Sequence, residues 1–389
     1  YQFSIINSPL RQSHHYTRSI AMLAGTIIGV GIFGVPYLVA RSGVAIGLVH
    51  FAVLTIALLI VHLSYGELAL RTQTRHRLVG YAGQYLGRWG KGMATISTIL
   101  GMYGALLAYL IVSGQFLHQL IGPVVGGNPF IASVGFGILG ALAVAFGLRL
   151  VEELEFVLTA FLFIVMAIIF IVGAQRVDVA NWMTMDLRYT FLPYGAILFS
   201  LGGASAISAI RDMLQGRERL LPRAIAWGTL IAAVLTTLFV LIVVGMSGTG
   251  TSTESIAGLA PILGRSIVIL GAMLGFLAIA TSFLTLGLYL DEVFRLDFHL
   301  PRGRAFFAAI GVPFLIFLIG NPNFTNVILV TGAIFGGLDG ILILLSAIRA
   351  RKMGDRTPEF TLRLPAAVHI VVMTLFAVGI VMTIAEVLR

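Results

Sequence analysis

Residues 24–36 read Ala-Gly-Thr-Ile-Ile-Gly-Val-Gly-Ile-Phe-Gly-Val-Pro, in the middle of the first long hydrophobic segment. Gly25, Gly29, Gly31, Gly34 and Pro36 interrupt a stretch that otherwise has the apolarity of a membrane helix. Inside a helix Gly costs about 1 kcal/mol and Pro about 3 kcal/mol relative to Ala. In hydrocarbon, unpaired backbone groups add a further penalty. Such a stretch persists only where it is buried and its freed N–H and C=O groups bind something. Glycine also serves close helix packing, through the GxxxG spacing of Gly25 and Gly29. The next position of that stripe is Phe33, so the stripe ends at Gly29 and a broken helix is the better reading.

The rest of the chain is built for a bilayer. It is 58% hydrophobic and 11% charged, with mean hydropathy +1.01, whereas soluble domains carry about 25% charged residues. A span needs about 20 apolar residues. Eleven segments qualify, at approximately 18–40, 44–70, 92–121, 130–148, 153–173, 191–211, 221–246, 266–290, 305–320, 325–348 and 365–386. The first has no small-residue cleavage site and is read as a retained helix. The expected fold class is an all-α polytopic membrane protein forming one transmembrane domain over 1–389. Zero cysteines exclude disulfides, thiolate metal sites and cysteine nucleophiles.

The net charge of +9 does not mark a nucleic-acid binder, because no soluble basic domain exists to carry it. Twenty of the 25 Lys and Arg fall in alternate connections, among them Arg18, Arg71, Arg149, Arg211, Arg302 and Arg351. The other connections hold Arg41, Arg176, Arg188, Arg265 and Arg389. The positive-inside rule then places the N-terminus in the cytoplasm and the C-terminus outside, with the basic end on anionic inner-leaflet lipid. The connection from Arg71 to Lys91 mixes Leu78, Tyr81, Tyr85, Leu86 and Trp89 with arginines, and reads as either a short interfacial helix or a solvated loop.

Segment six has its own interruption, at Ser200-Leu201-Gly202-Gly203, with hydroxyls on both sides. Segments one and six each open a run of five. Paired interruptions in corresponding positions of two halves point to a transport site between inverted repeats. The expected repeats are 18–173 and 191–348, with broken helices one and six and an extra helix at 365–386.

With these residues the chain resembles the amino acid–polyamine–organocation superfamily, which has the fold of the bacterial leucine transporter. It is most similar to the amino acid/auxin permease and aromatic amino acid permease branch. The resemblance rests on the segment from Gly25 to Tyr37, on Tyr65-Gly66-Glu67-Leu68, on Tyr103 to Tyr109, and on Ser200 to Gly203. It implies a secondary transporter of a neutral L-amino acid, aromatic or branched, working by alternating access in the plasma membrane. N–H groups near Val30, Gly31 and Ile32, at the positive end of a half-helix, suit a carboxylate, and Gly29 borders the same substrate site. Carbonyls near Ile197 and Leu198, with the Ile27 carbonyl and the Ser200 hydroxyl, suit an ammonium group. The resemblance also implies that Tyr109 lines the site and that Gly203 stands in place of an aromatic gate, enlarging the pocket together with Gly104, Gly202 and Ala204.

For the coupling ion, the resemblance implies one sodium held by the Gly25, Ile28 and Ala278 carbonyls and the Thr281 and Ser282 hydroxyls. Adjacent hydroxyls in an apolar helix also commonly bond their own backbone. Segment five carries no lysine to replace the ion, and Thr26 is a poor match for a second sodium. Proton coupling stays open. Asp339, about 15 Å along its helix from Arg349, and His62 are the intramembrane ionisable groups that could serve as gate or proton site. Both also read as packed polar residues. Glu67, Glu152, Glu153, Asp291 and Glu292 read as partners of arginines such as Arg18 and Arg71.

Two other classes fit poorly. Metal-ion transporters of this fold carry Asp-Pro-Gly-Asn and Met-Pro-His breaks, and neither is present. An intramembrane enzyme would need a motif such as HExxH or GxSxG, and none is found; His14 and His15 stand alone. The expected partners are the amino acid and the bilayer, with no organic cofactor, nucleic acid or protein.

Overall fold

The computed structural model describes residues 9–146, 151–296 and 298–387. Expectations placed on Arg149, Arg389 and the side chains of His14, Glu152 and Glu153 lie outside the described residues. The elements are helical throughout: α1 (Pro9–Ile27), α2 (Gly31–Ser42), α3 (Val44–Arg71), α4 (Leu78–Val125), α5 (Pro129–Ala145), α6 (Val151–Ala174), α7 (Leu192–Ser200), α8 (Ala204–Met213), α9 (Leu221–Ser247), the single turn α10 (Ala260–Leu263), α11 (Arg265–Leu296), α12 (Arg302–Phe306), α13 (Val312–Gly320), α14 (Phe324–Val330), α15 (Gly337–Met353) and α16 (Ala366–Val387). Among the described residues the sole β-type pairing is the isolated bridge between Gly43 and Met185.

Among the described residues eight helical stretches are long and apolar enough to cross a membrane, or nine with the pair α1 and α2, which bend by 52° at their break. Two shorter apolar helices, Pro129–Ala145 and Phe163–Ala174, match segments four and five. The chain is a multi-pass membrane protein. Val49, Ile56, Leu139, Ile171, Ile319 and Val371 are exposed on five helices, a placement that a lipid belt rewards.

Segment one breaks at 28–30 and segment six at 201–203, each within the expected window. α1 packs on α8 and α9, α2 on α7 and α9, and α3 on α9, α8 and α15. α4 makes its main contacts with α5, α11 and α15. Small residues allow the tightest approaches. A Cβ on Gly332 would collide with the Gly195 carbonyl, so α7 lies backbone to backbone against the tenth segment.

Two π-helical turns, Phe307–Gly311 and Thr331–Gly336, interrupt segments nine and ten. A π turn spoils the regular hydrogen-bond ladder and frees a carbonyl. α4 supplies the missing donors: Tyr103 Oη donates to the Ala308 carbonyl at 2.6 Å, and Ser97 Oγ to the Phe335 carbonyl at 3.0 Å.

The connection from Arg71 to Lys91 contains a true helix. It runs from Leu78 and turns sharply at Gly87 (φ 74°) into the long part of α4, a conformation that favours glycine. Tyr81 and Tyr85 are fully buried and only Trp89 is exposed, so its aromatic face meets protein more than lipid.

Candidate functional site at the crossing of two helix breaks

The break in segment one exposes backbone by the geometry of its ends. The Ile28 N–H still reaches the Ala24 carbonyl (2.9 Å), and the Gly29 N–H turns back to the Ile27 carbonyl (2.9 Å). α2 starts at Gly31, with Val30 as its N-cap and no capping side chain. The Val30 and Gly31 N–H groups have no acceptor among the described residues. Both residues are buried. They carry the positive end of the α2 dipole with nothing to receive it.

The break in segment six lies against this one. A Cβ on Gly31 would come within 2.8 Å of the Ser200 Cα and 2.9 Å of the Phe199 ring, so Gly31 rests directly on the end of α7. Ser200 is 1% exposed, and its Oγ has no partner among the described residues. A buried hydroxyl left unpaired costs about 1–3 kcal/mol. Two bare N–H groups and one bare hydroxyl therefore belong to buried residues at the place where the two breaks touch. Gly29 faces free space, since a Cβ there would meet only the Thr26 carbonyl, at 3.8 Å.

The carbonyl set is smaller than the sequence suggests. The Leu201 N–H takes the Ile197 carbonyl (2.9 Å), and the Gly202 N–H takes that of Phe199 (3.3 Å). Leu198 carries the carbonyl that these turns leave open. Ile27 already receives the Gly29 N–H, so any further bond would use its second lone pair.

Gly203 does not enlarge the pocket. A Cβ there would strike Ile27 Cγ1 at 2.5 Å, so the space is filled by α1. Gly104 is likewise filled by the Thr331 side chain, while Gly202 meets only its own backbone neighbours. Tyr109 is partly buried on α4, two turns from Phe116 and thus on the same face. Phe116 makes an edge-to-face contact with Phe33 of α2, with centroids 5.1 Å apart.

Two of the proposed ion ligands already touch each other. Thr281 Oγ1 donates to the Ala278 carbonyl at 2.9 Å, which engages two members of the set with each other. α11 packs mainly on α4 and α6, whereas α1 packs mainly on α9 and α8. Among the described residues no hydrogen bond joins Gly25 or Ile28 to Ala278, Thr281 or Ser282. Thr26 bonds its own helix, at the Met22 carbonyl (2.8 Å).

Of the ionisable groups, Asp339 sits just past the π turn of segment ten, and its Oδ1 is buried with no partner among the described residues. His62 is fully buried. Its Nε2 accepts the Gly203 N–H at 3.2 Å and its Nδ1 lies 3.0 Å from Thr229 Oγ1. Nothing in the sequence marks this pairing, since its members are 141 and 167 residues from His62. At the basic end Glu67, fully buried, meets Arg71 (2.8 Å), Arg351 (3.0 Å) and the Leu362 N–H (3.0 Å). Arg18 is exposed, so the arginine partners of Glu67 come from its own helix and from α15.

A second recess, of about 280 Å³, opens at the arginine-poor end between Gln115, Phe130, Ser133, Thr253, Asn321 and Phe324. Phe324 also packs on Gly34 of α2, so this recess borders the half-helix that follows the break.

Comparison with known proteins places the chain in a family. The model of the tryptophan/tyrosine permease family matches residues 12–386, and the chain belongs to that family. It is 22% identical over 326 residues to the tyrosine-specific transport system 1 of Haemophilus influenzae, covering 78% of this chain and 80% of that one. It is 26% identical over 333 residues to system 2 of the same organism, with the same coverage. Its fold matches the crystal structure of MhsT in complex with L-phenylalanine with a TM-score of 0.62, at 16% identity over 94% of this chain and 97% of that one. That match gives the fold alone: the leucine-transporter fold. The relatives are transporters, not enzymes.

Proposed function

We propose that this permease is a secondary active transporter that carries an aromatic L-amino acid across the plasma membrane by alternating access. The observation that carries the reading is the crossing of the two breaks. The Val30 and Gly31 N–H groups, the Ser200 hydroxyl and the Leu198 carbonyl are short of partners at one buried place. A zwitterion fits such a cradle: its carboxylate meets the N–H groups and the α2 dipole, and its ammonium meets the carbonyl, with Ser200 Oγ bonding either group. No formal side-chain charge is required. The aromatic preference is supported by the printed names of the relatives and by the phenylalanine bound in the fold neighbour. Placement beside the amino acid/auxin permeases within the wider superfamily rests on the sequence motifs alone.

The sodium reading assigns the ion to Gly25, Ile28, Ala278, Thr281 and Ser282. Thr281 Oγ1 donates its hydrogen to the Ala278 carbonyl, which leaves lone pairs on both oxygens for a cation. Proton coupling is favoured by a separate observation, the buried and unpartnered Oδ1 of Asp339 beside a π turn. The alternation of arginine-rich and arginine-poor connections supports an N-terminus inside and a C-terminus outside.

Uptake of radiolabelled L-tyrosine, L-tryptophan, L-phenylalanine, L-leucine and L-glutamate into proteoliposomes, under imposed sodium or proton gradients, tests the reading. Concentrative, saturable uptake of the aromatic amino acids supports it. Uptake of none of the five overturns it.

A further inference from the structure

Segment six restarts at Ala204 with Gly203 as the N-cap of α8 and no capping contact from Gly203, which has no side chain. The first N–H groups of any helix lack intrahelical acceptors, and at membrane depth no water is at hand to replace them. One acceptor is supplied from another helix. His62 of α3 reaches the Gly203 N–H with Nε2, at 3.2 Å.

A backbone N–H can only donate, so Nε2 must hold a lone pair. The proton of the neutral ring is then on Nδ1, which donates to Thr229 Oγ1 of α9 at 3.0 Å. One ring with both nitrogens engaged ties α3, α8 and α9 together. His62 and Thr229 are 0% and 1% exposed.

The tie bears on the site through two glycines. Gly203, whose N–H His62 holds, receives Ile27 in the space of its missing Cβ. Gly228, the neighbour of Thr229, receives Leu23 in the same manner, with a Cβ there 2.8 Å from Leu23 Cβ. Leu23 and Ile27 are one turn apart on α1. The final turn of α1, which leads into the first break, is thus seated in a groove whose two walls are set by the His62–Thr229 pair.

We propose that His62 is a positioning residue for substrate binding: it fixes the second break and, through Gly203 and Gly228, seats the first break against it. The proposal rests on the reading of the crossing as the amino acid site. Without the tie, the crossing spends part of its time misaligned, and apparent affinity falls by the competent fraction. The translocation step needs no bond to His62, so the maximal rate is less affected.

The test uses the full-length protein in proteoliposomes with L-tyrosine as the probe, comparing His62→Leu, His62→Gln and Thr229→Val. Glutamine has an acceptor oxygen and a donor amide, and is the conservative replacement for a ring that accepts and donates. His62→Leu is expected to raise KM by about tenfold or more, with the maximal rate per reconstituted molecule changed less than about twofold. His62→Gln is expected to bring KM back to within about threefold of the wild type, and Thr229→Val to raise it by roughly threefold to fivefold. An unchanged KM in His62→Leu overturns the role, as does a His62→Gln variant as impaired as His62→Leu. If His62→Leu does not fold, an unchanged KM in Thr229→Val overturns it. Failure of the wild type to take up any amino acid overturns the site reading and this proposal together. Normal wild-type uptake with a silent His62→Leu overturns the positioning role alone.

Discussion

Gly31 rests on Ser200: a Cβ on Gly31 would lie 2.8 Å from the Ser200 Cα, and through this contact the two helix breaks meet. The same contact separates two glycines that look alike in sequence. Gly29 borders open space and Gly31 borders backbone. Gly29→Leu is expected to leave the thermal stability of the purified protein within about 2 °C of the wild type, because little packing changes there. It should still abolish L-tyrosine uptake by filling the cradle. Gly31→Ala is expected to lower both stability and uptake, since it forces the breaks apart. Full uptake by Gly29→Leu would count against the site.

Glu67 is a buried carboxylate held by Arg71, Arg351 and a backbone N–H, and through Leu362 it fastens the connection between α15 and α16 to the end of α3. Removing it leaves two partly buried guanidinium groups without their counterion. Glu67→Ala is expected to destabilise the protein by on the order of 3 kcal/mol, within the range seen when one partner of a buried ion pair is lost. Denaturant or thermal unfolding in detergent measures this. A loss below about 0.5 kcal/mol would place the pair with ordinary surface ion pairs.

The ring of Tyr109 shares a face of α4 with Phe116, which touches Phe33 of α2. Tyr109→Ala is expected to weaken L-tyrosine affinity about tenfold, the equivalent of about 1.4 kcal/mol for a lost aromatic contact, while Tyr109→Phe stays near wild type. Equal affinity in all three proteins would return Tyr109 to the role of packing.

Substrate affinity measured in sodium, potassium and choline at fixed pH separates the two coupling readings. With sodium as the ion, affinity rises in sodium alone and the double change Thr281→Ala and Ser282→Ala removes the rise. Reciprocity then requires substrate to raise sodium affinity by the same factor. With the proton as the ion, the three salts give one affinity, and Asp339→Asn uncouples uptake from an imposed pH gradient. An Asp339→Asn variant that still concentrates substrate on a pH gradient would remove Asp339 from the mechanism.

The spans and both breaks were legible because hydropathy and the placement of glycine act locally. The Gly25–Pro36 run and Gly202-Gly203 announce unwinding wherever they are placed in a bilayer. What those glycines face was not legible. Gly203 looked like pocket space by the absence of a side chain, yet Ile27 occupies it, because α1 enters from another part of the chain. The bonds of His62 to Gly203 and Thr229 join residues far apart in sequence and leave no periodic trace. The π turn at Thr331–Gly336 holds Gly332, which packs directly on α7, a contact with no trace in the local sequence. Glu67 was assigned arginine partners correctly in kind, and Arg351 was added only by the fold.

The zwitterion cradle is tested most directly by competition at equilibrium. Purified protein is loaded with radiolabelled L-tyrosine and challenged with tyramine, which lacks the carboxylate, N-acetyl-L-tyrosine, which lacks the ammonium group, and unlabelled L-tyrosine. In the proposed cradle Val30, Gly31, Leu198 and Ser200 would address both charged groups, so the expected result is full displacement by L-tyrosine and displacement by the other two only at concentrations about 100-fold higher or more, the loss of a charge-assisted contact in each case. Displacement by tyramine or N-acetyl-L-tyrosine as effective as by L-tyrosine would contradict the cradle.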